Sequence, residues 1–185
     1  YGDRGDQLLD EDSSNGSGFL ADVAQQWERS VHEVGSLGVR LVTIRLGVVI
    51  GPGGGVMSRL IPPFRFFVGG HPGSGKQWLG WVHIDDVIGV IRFLVENANC
   101  EGPFNVTVPE PTRSKDFYDA LGKAMHRPAV FPMPAFALKL ALGELATELL
   151  LTSTRVIPKR LLEAGYKFKF PDRASAFGDI LDSSL

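Results

Sequence analysis

The chain has 185 residues, 44% apolar, 22% charged and 10% aromatic, a globular make-up that excludes disorder as a whole-chain description. Nineteen basic and 21 acidic side chains leave a net charge of −2, without the basic excess that nucleic-acid binding requires. The single Cys100 excludes an internal disulfide, and no run of ~20 apolar residues is present to span a bilayer.

Residues 1–18 are rich in Asp, Gly and Ser and read as a surface loop. Residues 1–38 hold eight acidic side chains against Arg4 and Arg29, a balance of −6 that leaves +4 for the rest. The expectation is a solvated acidic loop followed by a wet helix face. Leu20, Val23, Ala24, Trp27, Val31 and Val34 recur at helical spacing, and Gly35 and Gly38 end that helix. The β-branched run Val39 to Ile50 suits one parallel strand covered on both faces. A helix followed by a buried strand is half of a βαβ repeat.

Glycine makes up 22 of 185 residues, about 12% where roughly 7% is usual. Ten of the 22 fall between Gly47 and Gly80, in a loop-rich stretch with short amphipathic pieces at Met57–Ile61 and Phe64–Val68. Trp81-Val-His-Ile-Asp-Asp86 leads into a helix striped by Val87, Ile88, Ile91, Leu94 and Val95, which Asp85 or Asp86 is expected to cap. Phe104 to Val108 reads as a short buried strand. Ser114 can cap a helix carrying Phe117, Leu121, Ala124 and Met125. Leu138, Leu142, Leu145 and Leu149 mark a further helix with Glu144 and Glu148 on its wet side. Pro158 can open a short helix ending at Gly165, Tyr166–Phe170 alternates like a strand, and Asp172 can cap a last helix bearing Phe177, Ile180 and Leu181.

Gly70-His-Pro-Gly-Ser-Gly-Lys-Gln77 imitates a phosphate loop, but Gln77 stands where magnesium needs Ser or Thr, and no buried strand precedes it. Gly51-Pro-Gly-Gly-Gly55 follows a strand, yet Val56 replaces the last glycine of a dinucleotide fingerprint. Arg45-Leu-Gly-Val-Val-Ile-Gly-Pro-Gly53 still puts small residues at the carboxyl end of a strand, where open α/β sheets bind ligands. His32, His71, His83 and His126 lack ligand spacing, so no metal site is expected. For His83, structural packing and pocket lining both stay open.

Three segments in order, Arg45 to Gly53, Trp81 to Val87 and Gly102-Pro-Phe-Asn-Val-Thr-Val-Pro-Glu-Pro-Thr112, resemble the second half of an extended short-chain dehydrogenase/reductase (SDR) of the NAD(P)-dependent epimerase/dehydratase type. Pro62-Pro-Phe-Arg65, Gly69 to Gln77 and Val156 to Tyr166 are similar to its atypical epimerase-family branch, related to SulA-like proteins, whose last ~50 residues form a small domain of unknown function. The resemblance implies an α/β fold: the C-terminal half of a Rossmann-type doubly wound parallel sheet plus a small α+β substrate or cap subdomain. Residues 1–108 would belong to the former, with 51–80 contributing to the substrate lobe, and 109–185 to the latter.

The resemblance also implies that the glycine-rich βαβ unit and a catalytic Ser or Thr would precede Tyr1. NADP(H) is then expected in the intact protein, its nicotinamide end near Gly47, Val48 and Val49, while this stretch alone would not hold it. Lys76, Gln77, Trp81 and His83 would face the cleft of a small-molecule substrate, with Lys76 meeting an anionic group and Trp81 stacking on a ring. The relatives' Tyr-x-x-x-Lys pair falls on Phe19 and Val23, and a phenyl ring cannot exchange a proton. Two functions therefore stand: an oxidoreductase or epimerase-like enzyme of unknown substrate, or a non-catalytic SDR-fold binding or regulatory protein. A soluble intracellular location, cytoplasmic or organellar, a possible homodimer through uncovered apolar faces, and neither nucleic acid nor membrane as partner complete the expectation.

Overall fold

The structure, a computed structural model, describes residues 1–35, 37–143 and 147–182. The chain opens with β1 (Leu8–Leu9), α1 (Phe19–Gly35), β2 (Val42–Leu46), β3 (Val48–Ile50) and α2 (Met57–Arg65). It continues through β4 (Trp78–Leu79), β5 (Trp81–His83), α3 (Ile84–Glu96), β6 (Gly102–Val106), β7 (Thr112–Arg113) and α4 (Ser114–Ala124). α5 (Ala135–Leu142), a π-helical turn at Thr147–Leu151, β8 (Arg155–Val156), α6 (Lys159–Glu163) and α7 (Arg173–Asp182) complete it.

Parallel pairing dominates, as an α/β fold requires. β2 runs parallel to β6, from Val42 against Gly102 to Leu46 against Val106, and β3 runs parallel to β5, with Val48 against Trp81. β1 joins β8 in parallel, and β4 with β7 is the antiparallel pair. The single strand expected over 39–50 is two pieces. At Gly47 the amide still donates to Val106 O on β6 (3.1 Å), while the next amide, of Val48, donates to Gly80 O (2.8 Å). The chain changes partners there, and the break follows.

Successive β5 residues point to opposite faces and seed two cores. Trp81 packs with Phe64, Phe117, Leu121, Phe177 and Ile180 under α4 and α7; its ring stacks on Phe177 (6.5 Å, 9° between planes) and meets Phe117 edge-on (5.8 Å). Val82 packs with Val87, Val90, Leu94, Phe104 and Leu161 under α3 and α6. Each core draws residues from both sides of Val108.

β2 departs from the expected two-sided cover. Ile44 and Leu46 remain exposed, and so does Trp27 (72%) on α1, where Ala21 is the one fully buried residue. The reason is a gap: a groove of about 600 Å³ separates α1 from β2, lined by Trp27, Glu28, Ile44, Arg45 and Thr107 among others. None of the described helices is long and apolar enough to cross a membrane.

Several expected ends and caps are corrected. Ser114 makes no capping bond on α4. Tyr166–Phe170 forms no ladder: the Tyr166 amide donates to Leu161 O (2.9 Å), and those of Lys169 and Phe170 go to a side chain described below. α5 stops at Gly143, which is left-handed (φ 61°); Glu144 and Leu145 lie outside the described residues. Asp172 does cap α7, its Oδ1 accepting from Ala174 N (2.9 Å) and Ser175 N (3.0 Å).

The acidic first segment is largely exposed, as expected of a loop, but ion pairs tie it to the rest of the chain. Asp6 pairs with Arg113 (2.8 Å) and accepts from Trp78 Nε1 (2.8 Å), and Asp12 pairs with Arg160 (2.8 Å). Lys159 lies 3.4 Å from both Asp10 and Asp12. Buried Glu11 accepts from Asn105 N (2.9 Å). Asp6, Asp10, Asp12 and Glu28 of residues 1–38 thus meet cations further along the chain. Hydrogen bonds hold three carboxyls below their ordinary value of 3.8: from Trp78 to Asp6, from Ser13 to Asp10 and from Arg160 to Asp12.

Carboxyls with depressed folded-state pKa contribute stability above 3.8 and lose it as pH falls further. The expected result is local release of residues 1–18 in acid. Going from about pH 5 to about pH 3, hydrogen exchange at the Arg4 amide, which donates to Ser153 O (3.1 Å), should accelerate beyond its intrinsic change before global unfolding. Unchanged protection there would refute the electrostatic clamp.

Candidate functional site: the Gly47–Gly80 crossing

At the carboxyl end of β2 two backbones touch. A Cβ on Gly47 would sit 2.8 Å from both the carbonyl carbon and oxygen of Gly80, and 3.0 Å from Thr107 Cγ2. Only glycine fits. Around the crossing lies a groove of about 370 Å³ lined by Leu46, Gly47, Val48, Trp78, Leu79, Gly80, Thr152 and Thr154. Thr107 Oγ1 is buried beside the crossing and has no hydrogen-bond partner among the described residues.

The sheet face next to the groove carries a polar network. Arg45 grips Glu28 with both arms, Nε to Oε1 (2.6 Å) and an Nη to Oε2 (2.7 Å), and donates to Tyr1 Oη (2.8 Å). That phenol in turn donates toward Asp10 O (2.8 Å) or Asn105 Oδ1 (2.9 Å). The hydrogen bond from Arg45 holds the Glu28 carboxyl low, and Glu28 raises the Arg45 guanidinium. Arg45 is thus spent inside the protein and is not free for a ligand anion.

The expected site residues separate into two groups. Gly47 and Val48 line the groove, and Val49 follows on β3 against Val82. Lys76 is exposed in a neighbouring groove of about 440 Å³ with Asp6, Ser74, Arg113, Lys115 and Asp116. The other three are interior. Gln77 donates to Pro72 O (3.0 Å) and Leu150 O (2.9 Å), tying its loop to the π-helical turn. Trp81 is fully buried, its Nε1 on Thr112 Oγ1 (3.2 Å) and its ring against Phe117 and Phe177, at the floor of a groove of about 740 Å³ that Glu110, Lys123 and Asp172 also line.

His83, 1% exposed, caps α3, a role expected of Asp85 or Asp86: its Nδ1 accepts from Asp85 N (3.2 Å). The ring proton therefore sits on Nε2, 3.4 Å from Asp179 Oδ2 on α7. Burial lowers the His83 pKa, with Asp179 opposing. Asp86 turns the other way, fully buried, and accepts from Lys169 N (2.7 Å) and Phe170 N (2.9 Å).

Sequence reasoning missed Trp78, Thr107 and Thr154. Trp78 has Arg113 over its ring at 3.8 Å and Arg155 at 4.7 Å. Its place two residues before Gly80 was the available signal; nothing local marks Thr107 or Thr154. The Gly70–Gln77 loop does not open its amides to an anion: Gly75 N donates to Pro72 O (3.3 Å) and Lys76 N to Ser74 Oγ (3.2 Å).

A parallel sheet with helices on both faces and close-approach glycines at a strand end defines the Rossmann-type fold of the SDR class. The family described as a domain of unknown function (DUF1731) matches residues 133–180. An epimerase family protein of Staphylococcus aureus (strain MRSA252) is 37% identical over 163 residues, 88% of this chain and 54% of that protein. The crystal structure of the human epimerase family protein SDR39U1 (isoform 2) with NADPH superposes with a TM-score of 0.93 at 32% identity, over 98% of this chain and 62% of the human one. A nucleoside-diphosphate sugar epimerase of Corynebacterium glutamicum gives 0.77 at 29%, over 97% and 34%. The chain belongs to the epimerase family of atypical extended SDR proteins and corresponds to its C-terminal portion. It spans about half the length of the curated relatives it matches.

Proposed function

We propose that the protein is an NADP(H)-dependent oxidoreductase or epimerase-like protein acting on a small molecule, with the nicotinamide end of the cofactor against Gly47, Val48 and Val49. The observation that carries this reading is the Gly47–Gly80 crossing: bare backbone at a parallel strand end, beside the unpartnered Thr107 hydroxyl. The NADPH in the human relative's structure supports the choice of cofactor. The groove of about 370 Å³ is at the low end for small-molecule sites and suits one ring rather than a dinucleotide. Pyrophosphate binding is assigned to the part of the relatives that this chain does not span. When bound, the cofactor would supply hydride transfer; these residues would orient its ring. Lys76 is proposed to meet substrate, while Trp81 and His83 fix the strand behind the crossing.

A non-catalytic reading is favoured by one observation: Phe19 and Val23 at the first turn of α1, where related reductases carry Tyr and Lys. The test is titration of the full-length protein with NADPH and NADH, following cofactor fluorescence. Enhanced emission at a Kd of about 1 μM to 1 mM is expected, stronger with NADPH. No response to either cofactor would sink the reading. Binding without turnover over a panel of carbonyl and sugar-nucleotide substrates would select the non-catalytic one.

A further inference from the structure

α2 and α4 end in the same way. Val68 N donates to Pro63 O (2.9 Å) and Phe67 N to Phe64 O (3.0 Å); Arg127 N donates to Gly122 O (2.8 Å) and His126 N to Lys123 O (3.1 Å). These are Schellman turns, whose left-handed residue is ordinarily glycine. Here Phe67 (φ 62°) and His126 (φ 54°) fill that slot, and among the described residues they are the two non-glycines with positive φ. A Cβ disfavours this conformation.

Among the described residues, burial does not repay the strain: Phe67 and His126 are both exposed. Phe67 is 53% exposed and its neighbours Phe66 and Val68 are exposed too. Beside them runs the segment after α4: the Arg127 guanidinium lies 4.5 Å over the Phe67 ring, and Phe131 N donates to Gly69 O (3.2 Å). Phe131 is itself exposed, and Phe136 and Leu140 (88%), one turn apart on α5, extend the apolar surface along the chain. These aromatic side chains line none of the grooves described above, so the surface projects and does not enclose.

Charge decides among occupants. The segments that carry this surface, residues 59–71 and 123–140, hold five cations (Arg59, Arg65, Lys123, Arg127 and Lys139) and no Asp or Glu. A second copy would set like charge against like. Exposed phenylalanines with Arg127 over one ring and the exposed Arg65 next in sequence suit an anionic lipid surface. We propose that this face adsorbs peripherally to anionic membranes, the phenylalanines entering the headgroup boundary and Arg127 and its cationic neighbours meeting the headgroups. Such adsorption needs no spanning helix, and it is independent of the cofactor reading.

The experiment is co-sedimentation of the full-length protein with vesicles of phosphatidylcholine alone or with about one-third phosphatidylserine. Binding is expected to the anionic vesicles only, to vanish near ~0.5 M salt, and to weaken about tenfold in the double variant Phe66→Ser, Phe67→Gly. Phe67→Gly gives the turn the residue it is built for, so the single variant should melt no lower than the parent while still losing affinity. Absence of vesicle binding, equal binding to neutral vesicles, or an unaffected double variant would each overturn the proposal. So would a dimer in sedimentation that the double variant dissociates, or binding to polyglutamate without vesicle binding.

Discussion

Replacing Asp86 with alanine is expected to lower the unfolding free energy by about 3–5 kcal/mol, a large part of the roughly 5–15 kcal/mol of a typical domain. The carboxylate is fully buried and its two oxygens accept from Lys169 N (2.7 Å) and Phe170 N (2.9 Å), with Tyr166 Oη at 3.3 Å from Oδ1. Alanine removes the acceptors and leaves two main-chain donors facing the interior, each costing about 1–3 kcal/mol. The loss would spread: the 166–170 segment carries Phe170 into the core that holds Trp81 and Phe177. Asp86→Asn retains shape but turns one acceptor into a donor, so an intermediate loss is expected. Urea unfolding with matched m-values reads both variants. An alanine variant within about 1 kcal/mol of the parent would refute the clamp.

Legibility in the sequence followed the reach of each interaction. The α3 helix, the α7 cap at Asp172 and the parallel pairing of the β-branched run are local patterns, and they were readable; the α3 stripe was only half right, since Val87 and Leu94 are buried together with Val90 while Ile88, Ile91 and Val95 are exposed. The Trp-Val-His-Ile-Asp-Asp segment was located correctly but its roles were exchanged: His83 caps α3 and Asp86 holds a segment about 80 residues away. Periodicity cannot show which distant amides lack an acceptor. The same holds for the acidic first segment, whose partners Arg113, Lys159 and Arg160 lie more than 100 positions downstream. Polarity suggested solvent alone; countercharge was the further physical reason. The glycine-rich stretch marked the candidate site because close backbone approach leaves a compositional trace. Thr107 left none, since an unpaired hydroxyl is defined only by what fails to surround it.

Adding one carbon at Gly47 tests that site with the second large effect. In Gly47→Ala the new Cβ would press on the carbonyl carbon and oxygen of Gly80 at 2.8 Å and on Thr107 Cγ2 at 3.0 Å. Two of these three atoms are backbone and cannot rotate away, so the Gly47 and Gly80 backbones must move apart, straining the β3–β5 pairing that starts beside them. The cost is expected at about 1–3 kcal/mol of stability, as for overpacking in a closed core. Gly80→Ala is the internal control. Its Cβ would meet only Thr107 Cγ2, at 3.3 Å, a side-chain methyl that can give by a few tenths of an ångström, and a loss below about 1 kcal/mol is expected. If the crossing also holds the nicotinamide ring, moving the strand end by even a fraction of an ångström should weaken NADPH binding by at least about tenfold, or ~1.4 kcal/mol. The two readouts separate the claims. Equal stability of the two variants would refute the close approach, whereas a destabilised Gly47→Ala protein with parental NADPH affinity would move the cofactor away from this strand end.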